Sequence, residues 1–195
     1  MIPVEVGSLI WSEFPIRTYI EPSEEVQPNS APSANKAIRA AIQDWTVYLP
    51  ITVVEQPEAA DIIIRRSPPP LRITPRQNPS EKPSLELERV RSAETRYTLY
   101  LRQVGDGPPM LSHRCIIFLN PRQTASYLQS AVRHELGHAL GIWGHSPAPT
   151  DTMYFSQVRN PAAISPRDVN TLKRIYEQPT RLGWPLPSLD SQHTH

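Results

Sequence analysis

Hydrophobic positions along this chain change period several times, and each change marks an element. Ile16, Thr18 and Ile20 alternate with Arg17 and Tyr19, so Ile16–Ile20 reads as a first strand. From about Ser33 the period lengthens: Ala37, Ile38, Ala41, Ile42 and Trp45 share one stripe of a helix. Ser33 is its expected N-cap and Pro50 its stop. The β-branched runs Ile51–Val54 and 61–66, the latter with Ile62, Ile63 and Ile64 in succession, predict two short strands. Periodicity then vanishes over 67–94, a stretch rich in Pro and Ser that predicts a long loop excursion. Two more strands are expected at 97–102 and 114–119, with the turn signal Gly105-Asp106-Gly107-Pro108 between them.

A second long helix is predicted over 126–140. Its stripe is Tyr127, Leu128, Ala131, Val132, Leu136, Ala139 and Leu140, and Ser126 with Gln129 has the spacing of a capping box. Gly141 supplies the stop, because a left-handed residue after a helix costs glycine nothing. A last helix is expected over 166–177. Ser165 is its N-cap, Pro166 its first residue and Asp168 the partner in a capping box, with Val169, Leu172, Ile175 and Tyr176 as its packing face. These elements describe one α+β domain over residues 1–178: a mixed, mostly parallel sheet of about five strands, two long helices beneath it and a C-terminal helix. Residues 179–195 read as a Pro-rich tail, and no internal repeat is visible.

A length of 195 residues suits one core. Proline accounts for 23 of them, with concentrations at 67–83 and 179–187, where a locked φ and a missing N–H favour loop or extended chain. A net charge of +1 gives no electrostatic footprint for nucleic acid or an anionic membrane. No apolar run approaches the roughly 20 residues of a membrane span. The single cysteine, Cys115, excludes an internal disulfide framework and, set in an apolar run, reads as a core thiol. Residues 1–5 lack the basic start and apolar core of a signal peptide.

Candidate chemistry is concentrated in His134-Glu135-Leu136-Gly137-His138. Residues four apart on a helix lie about 40° apart around the axis and about 6 Å along it, so His134 and His138 can converge on one zinc ion. Both continue the stripe of Tyr127 and Ala131 towards the core, where an unpaired imidazole pair would be costly. Glu135 lies about 100° round the helix, off the ligand face but within reach of a water at the metal. Zinc lowers the pKa of such a water from about 15.7 to about 7. A carboxylate beside it can then act as general base and later as acid, which is the chemistry of a hydrolase. A catalytic zinc takes three protein ligands, and His145 is the local candidate for the third. Asp151 and, on a distant helix, Glu177 are the competing donors. His113 precedes a predicted strand, and His193 and His195 stand in the tail.

His134-Glu135-Leu136-Gly137-His138-Ala139-Leu140-Gly141 followed by His145-Ser146 resembles the metzincin signature in its matrixin-like form. Met153-Tyr154, eight residues after His145, matches the spacing of the methionine turn of that family. Weaker likeness extends over 16–176, including 37–45, 50–52, 60–64 and 164–169. The resemblance implies a zinc-dependent endopeptidase with one catalytic zinc on His134, His138 and His145, and with Glu135 as the base. It further implies Met153 beneath the metal, Asp168 bracing the methionine turn, and 97–102 as an edge strand that pairs with an extended protein or peptide substrate. An extracellular or periplasmic monomer follows from the same likeness. The third histidine stands four residues after Gly141 where matrixins have three, with Gly144 as the extra residue expected to bulge. Phe155 and Ser156 replace the family's Pro and Tyr after the methionine turn, and Phe155 occupies the place of an astacin-like tyrosine ligand. Six scattered aspartates offer no evident calcium loop, so structural calcium stays undetermined. The alternative is a zinc-binding domain without catalysis.

Overall fold

The computed structural model describes residues 6–22, 31–70, 92–156, 158 and 160–186, with only the backbone at 31 and 32. In chain order the elements are β1 (Ile16–Ile20), α1 (Ala31–Thr46), β2 (Ile51–Val54), β3 (Ile62–Arg65), β4 (Ala93–Arg102), β5 (Met110–Leu119), α2 (Ala125–Ala139) and α3 (Pro166–Tyr176). A single turn of 3₁₀ helix, Pro57–Ala59, joins β2 to β3. The five strands form one sheet in the order β2-β1-β3-β5-β4, parallel except for β4, which runs antiparallel to β5. The architecture is the expected α+β one.

Alternation explains which face of the sheet is covered. Ile16, Ile62, Ile64, Cys115, Ile117 and Leu119 point to one side, where they meet Ile38, Ala41, Ile42 and Trp45 of α1 and Leu128, Val132 and Leu136 of α2. Trp45 fixes the two helices together, because its indole N–H donates to the Arg133 carbonyl at 2.8 Å. Cys115 is a buried core thiol, and burial pushes it up to about 12. Strand β4 lies at the edge of the sheet beside α2. No helix among the described residues is long and apolar enough to cross a membrane.

Four expectations change. Helix α1 begins at Ala31, so Ser33 lies inside its first turn and is not the N-cap; Pro32 is tolerated there because first-turn N–H groups lack partners anyway. Helix α2 is capped by Thr124, whose side chain accepts the Tyr127 N–H, and Ser126 is already helical. Strands β4 and β5 are each ten residues long, so β4 begins at Ala93, inside the expected excursion 67–94, and His113 stands within β5. Residues 71–91 of that excursion lie outside the described residues, as do 1–5, His193 and His195.

The fourth change concerns the expected tail. Its first part is built into the fold: Thr180 bridges Gly7 and Pro185 bridges Met110. Gly183 N–H donates to the Leu111 carbonyl at 2.7 Å, and Leu111 N–H donates to the Trp184 carbonyl at 3.1 Å. Leu182 is buried. Proline suits such a strap, because its carbonyl still accepts, as Pro179 does from Ser8 at 3.0 Å. The remainder of the tail lies outside the described residues.

Candidate metal centre

Helix α2 delivers His134 and His138 from its last turns and then stops. Gly141 adopts φ 117°, and an added Cβ there would lie 3.1 Å from both the Leu9 carbonyl oxygen and Ile10 Cγ2. Glycine is therefore required twice over, by conformation and by close approach. Gly141 N–H donates to the His138 carbonyl and Ile142 N–H to the Gly137 carbonyl, both at 2.9 Å, the paired bonds of a Schellman stop. The reversed chain brings His145 to the other two. Ring centroids are 4.7 Å apart for His134 and His138, 5.3 Å for His134 and His145, and 4.9 Å for His138 and His145. One nitrogen from each of the three lies within 4.8 Å of the others, a group that could hold a metal ion.

The hydrogen bonds around the rings fix their chemistry. His134 Nδ1 lies 2.8 Å from the Thr152 carbonyl and His138 Nδ1 lies 2.6 Å from the Ile142 carbonyl. A carbonyl only accepts, so both Nδ1 atoms donate, and in the neutral rings each Nε2 is left with a lone pair. Those two Nε2 atoms stand 3.1 Å apart. Burial lowers the pKa of both rings, that of His138 to about 4 with the neighbouring imidazoles adding to the effect, so both are neutral at pH 7. Two lone pairs facing at that distance repel unless a cation lies between them. Two bonds of 2.0–2.1 Å at the tetrahedral angle would place ligand nitrogens about 3.3 Å apart, so the donor set fits zinc.

Glu135 stands off the imidazole face, 7% exposed, on the wall of the same cleft. Its Oε2 accepts a 2.6 Å hydrogen bond from the Thr95 hydroxyl on β4. The cleft has a volume of about 560 Å³ and is lined also by Tyr127, Ala131, Val158 and Pro161.

Beneath the histidines runs a tight loop closed by Ser146 N–H donating to the Met153 carbonyl at 2.7 Å. Met153 is 2% exposed and packs under α2 so closely that a Cβ on Gly137 would overlap its Sδ. Asp168 holds this loop from below. One oxygen accepts the Thr152 N–H at 2.9 Å and the Ser165 N–H at 2.8 Å, and the other accepts the Met153 N–H at 3.3 Å. It therefore caps α3 and holds the Met153 N–H at once. The Thr152 carbonyl that orients His134 belongs to the same loop, so Asp168 is linked to His134 through two hydrogen bonds.

The rival donors are engaged elsewhere. Asp151 forms paired hydrogen bonds with Arg167, both at 2.9 Å, and accepts the Ser146 hydroxyl at 2.6 Å; the guanidinium holds its carboxyl down at about 2. Glu177 is the C-cap of α3 and stands outside the histidine group. His113 is stacked on Trp11 in β5. Phe155 is 65% exposed. Gly144 is the further correction: its φ is not positive and an added Cβ would meet nothing within 4 Å, so no special glycine conformation carries the extra residue before His145.

Four contributors escaped the sequence reading. Thr95 and the Thr152 and Ile142 carbonyls carry no local signal. Gly137 did carry one, since a glycine inside a helix costs about 1 kcal/mol against alanine and its presence points to close packing. No protein-family model matches the chain, and no curated protein shows significant sequence similarity to it.

Proposed function

We propose that this chain is a metzincin-like, zinc-dependent endopeptidase. The observation that carries the reading is the pairing of two opposed imidazole lone pairs, joined by His145, with a buried carboxylate, Glu135, in one open cleft. His134, His138 and His145 would hold the ion. Zinc, when bound, supplies a Lewis acid that acidifies water and polarises a carbonyl. Glu135 accepts the proton of the attacking water and returns it to the leaving amine. The edge strand β4 offers main-chain donors and acceptors to an extended peptide, which supports a polypeptide substrate laid along Ala93–Arg102. Val158, Pro161 and Ala131 are apolar parts of the cleft lining and favour an apolar substrate side chain.

Zinc analysis and a peptide-library digest together test the proposal. The chain should hold about one zinc, cleave peptides, and stop when chelator removes the metal. Glu135→Ala should keep zinc while activity falls at least ~100-fold, the scale of a positioned acid–base group. Zinc bound without any cleavage would leave a non-catalytic metal domain, and no zinc after reconstitution would end the proposal.

A further inference from the structure

Glu135 is gripped from outside its own helix. Thr95 stands 40 residues earlier in the chain, in β4 opposite Ile117, and its hydroxyl approaches Glu135 Oε2 at 2.6 Å and the Glu135 main-chain oxygen at 3.0 Å. A hydroxyl carries one hydrogen, and 2.6 Å is the length of a bond donated to an ionised carboxylate, so the hydrogen belongs to Oε2. We propose that Thr95 is a positioning residue for Glu135, clamping the carboxylate to the strand along which substrate would lie; this rests on the peptidase reading above.

The physical need is plain. A glutamate has three side-chain torsions, and rotation about them moves the carboxylate by more than the ~1 Å that can cost about 100-fold in rate. The bond from β4 fixes the tip of this side chain, and it does so relative to the sheet edge and not to the helix. Any peptide added to that edge is thereby registered against the base. A threonine serves here because its β-branch suits a strand and stiffens the hydroxyl that must hold direction.

Two substitutions separate this role from simple packing. Thr95→Val keeps the shape and deletes the hydroxyl, whereas Thr95→Ser keeps the hydroxyl. With zinc content equal to the parent, Thr95→Val should lower kcat about 10-fold or more with KM within about twofold, and Thr95→Ser should recover most of the loss. In a Glu135→Ala background Thr95→Val should cost nothing further. A kcat unchanged in Thr95→Val, or no recovery in Thr95→Ser, would overturn the assignment. A second arm needs no turnover: urea unfolding of the metal-free parent, Thr95→Val, Glu135→Ala and the double variant. The two changes should be non-additive by about 10-fold in the unfolding constant, and additivity within about twofold would show that Thr95 does not hold Glu135. If the parent binds zinc but cleaves no peptide, the peptidase reading fails, and this second arm still decides the clamp.

Discussion

Acid should weaken this fold through a histidine that has no part in the metal centre. His113 is 4% exposed in β5, its ring stacked on Trp11 at 3.7 Å, and burial lowers its imidazole from 6.5 to about 4 against a weaker pull from Asp61. The folded chain therefore keeps this ring neutral where the unfolded chain protonates it. Above pH 6.5 neither state carries the proton and the residue contributes no pH dependence. Between 6.5 and about 4 the unfolded state binds more protons, so stability falls as pH falls; below about 4 both states are charged and the loss stops growing. At about 1.36 kcal/mol for each pH unit, the full depression amounts to about 3 kcal/mol. Against a total of about 5–15 kcal/mol for a typical domain, that is enough to shift the acid transition visibly. His134 and His138 are also lowered, so the quantity to measure is a difference between the parent and His113→Phe, which keeps a ring against Trp11. Urea unfolding of the metal-free proteins at pH 7.5 and 4.5 supplies it. The parent should lose about 2–3 kcal/mol more than the variant on acidification. Equal losses would refute the argument that burial of a neutral His113 is what the fold protects.

Three further outcomes follow from the site. His145→Ala should weaken zinc binding by more than about 100-fold, beyond the usual effect of changing a ligand's outer partner; Asp151→Asn should leave it nearly unchanged while lowering the thermal midpoint as the bonds to Arg167 weaken. Competition with a zinc indicator, read beside thermal unfolding, separates the two. Gly137→Ala should destabilise by about 1–3 kcal/mol despite alanine's better helix propensity, because its Cβ meets Met153 Sδ. A more stable Gly137→Ala protein would show that the methionine does not press on the helix.

What the chain discloses locally, it discloses well. The stripe of Ala37, Ile38, Ala41, Ile42 and Trp45 was legible because its burial follows from the helix's own period, and the run Ile62-Ile63-Ile64 because β-branched residues in succession favour a strand. The first half of β4 was not, since Glu94, Thr95 and Arg96 carry no apolar alternation and owe their conformation to pairing with Phe118, Ile117 and Ile116. The cap of α2 illustrates a finer limit. Thr124 and Ser126 are both competent hydroxyls two residues apart, and only the direction taken by the preceding chain selects the first. In the candidate site, His134, Glu135 and His138 were legible because helical spacing alone groups two of them. The carbonyls of Thr152 and Ile142 were not, because every residue has a carbonyl and only the folded turn aims these two.

The strap formed by residues 179–186 has a consequence for where this protein can safely be cut. It is paired with the segment around Gly7 and Ser8, which leads directly to Leu9, Ile10 and Trp11. Leu9 and Ile10 occupy the space a side chain at Gly141 would need, where the chain turns towards His145, and the Trp11 indole donates to the Ala139 carbonyl at the end of α2. Two distant stretches of sequence thus act as a splint behind the histidine turn. An expression boundary drawn at residue 178 would leave His134, His138, His145 and Glu135 in place, yet it would remove one of the two stretches that brace the chain's approach to His145.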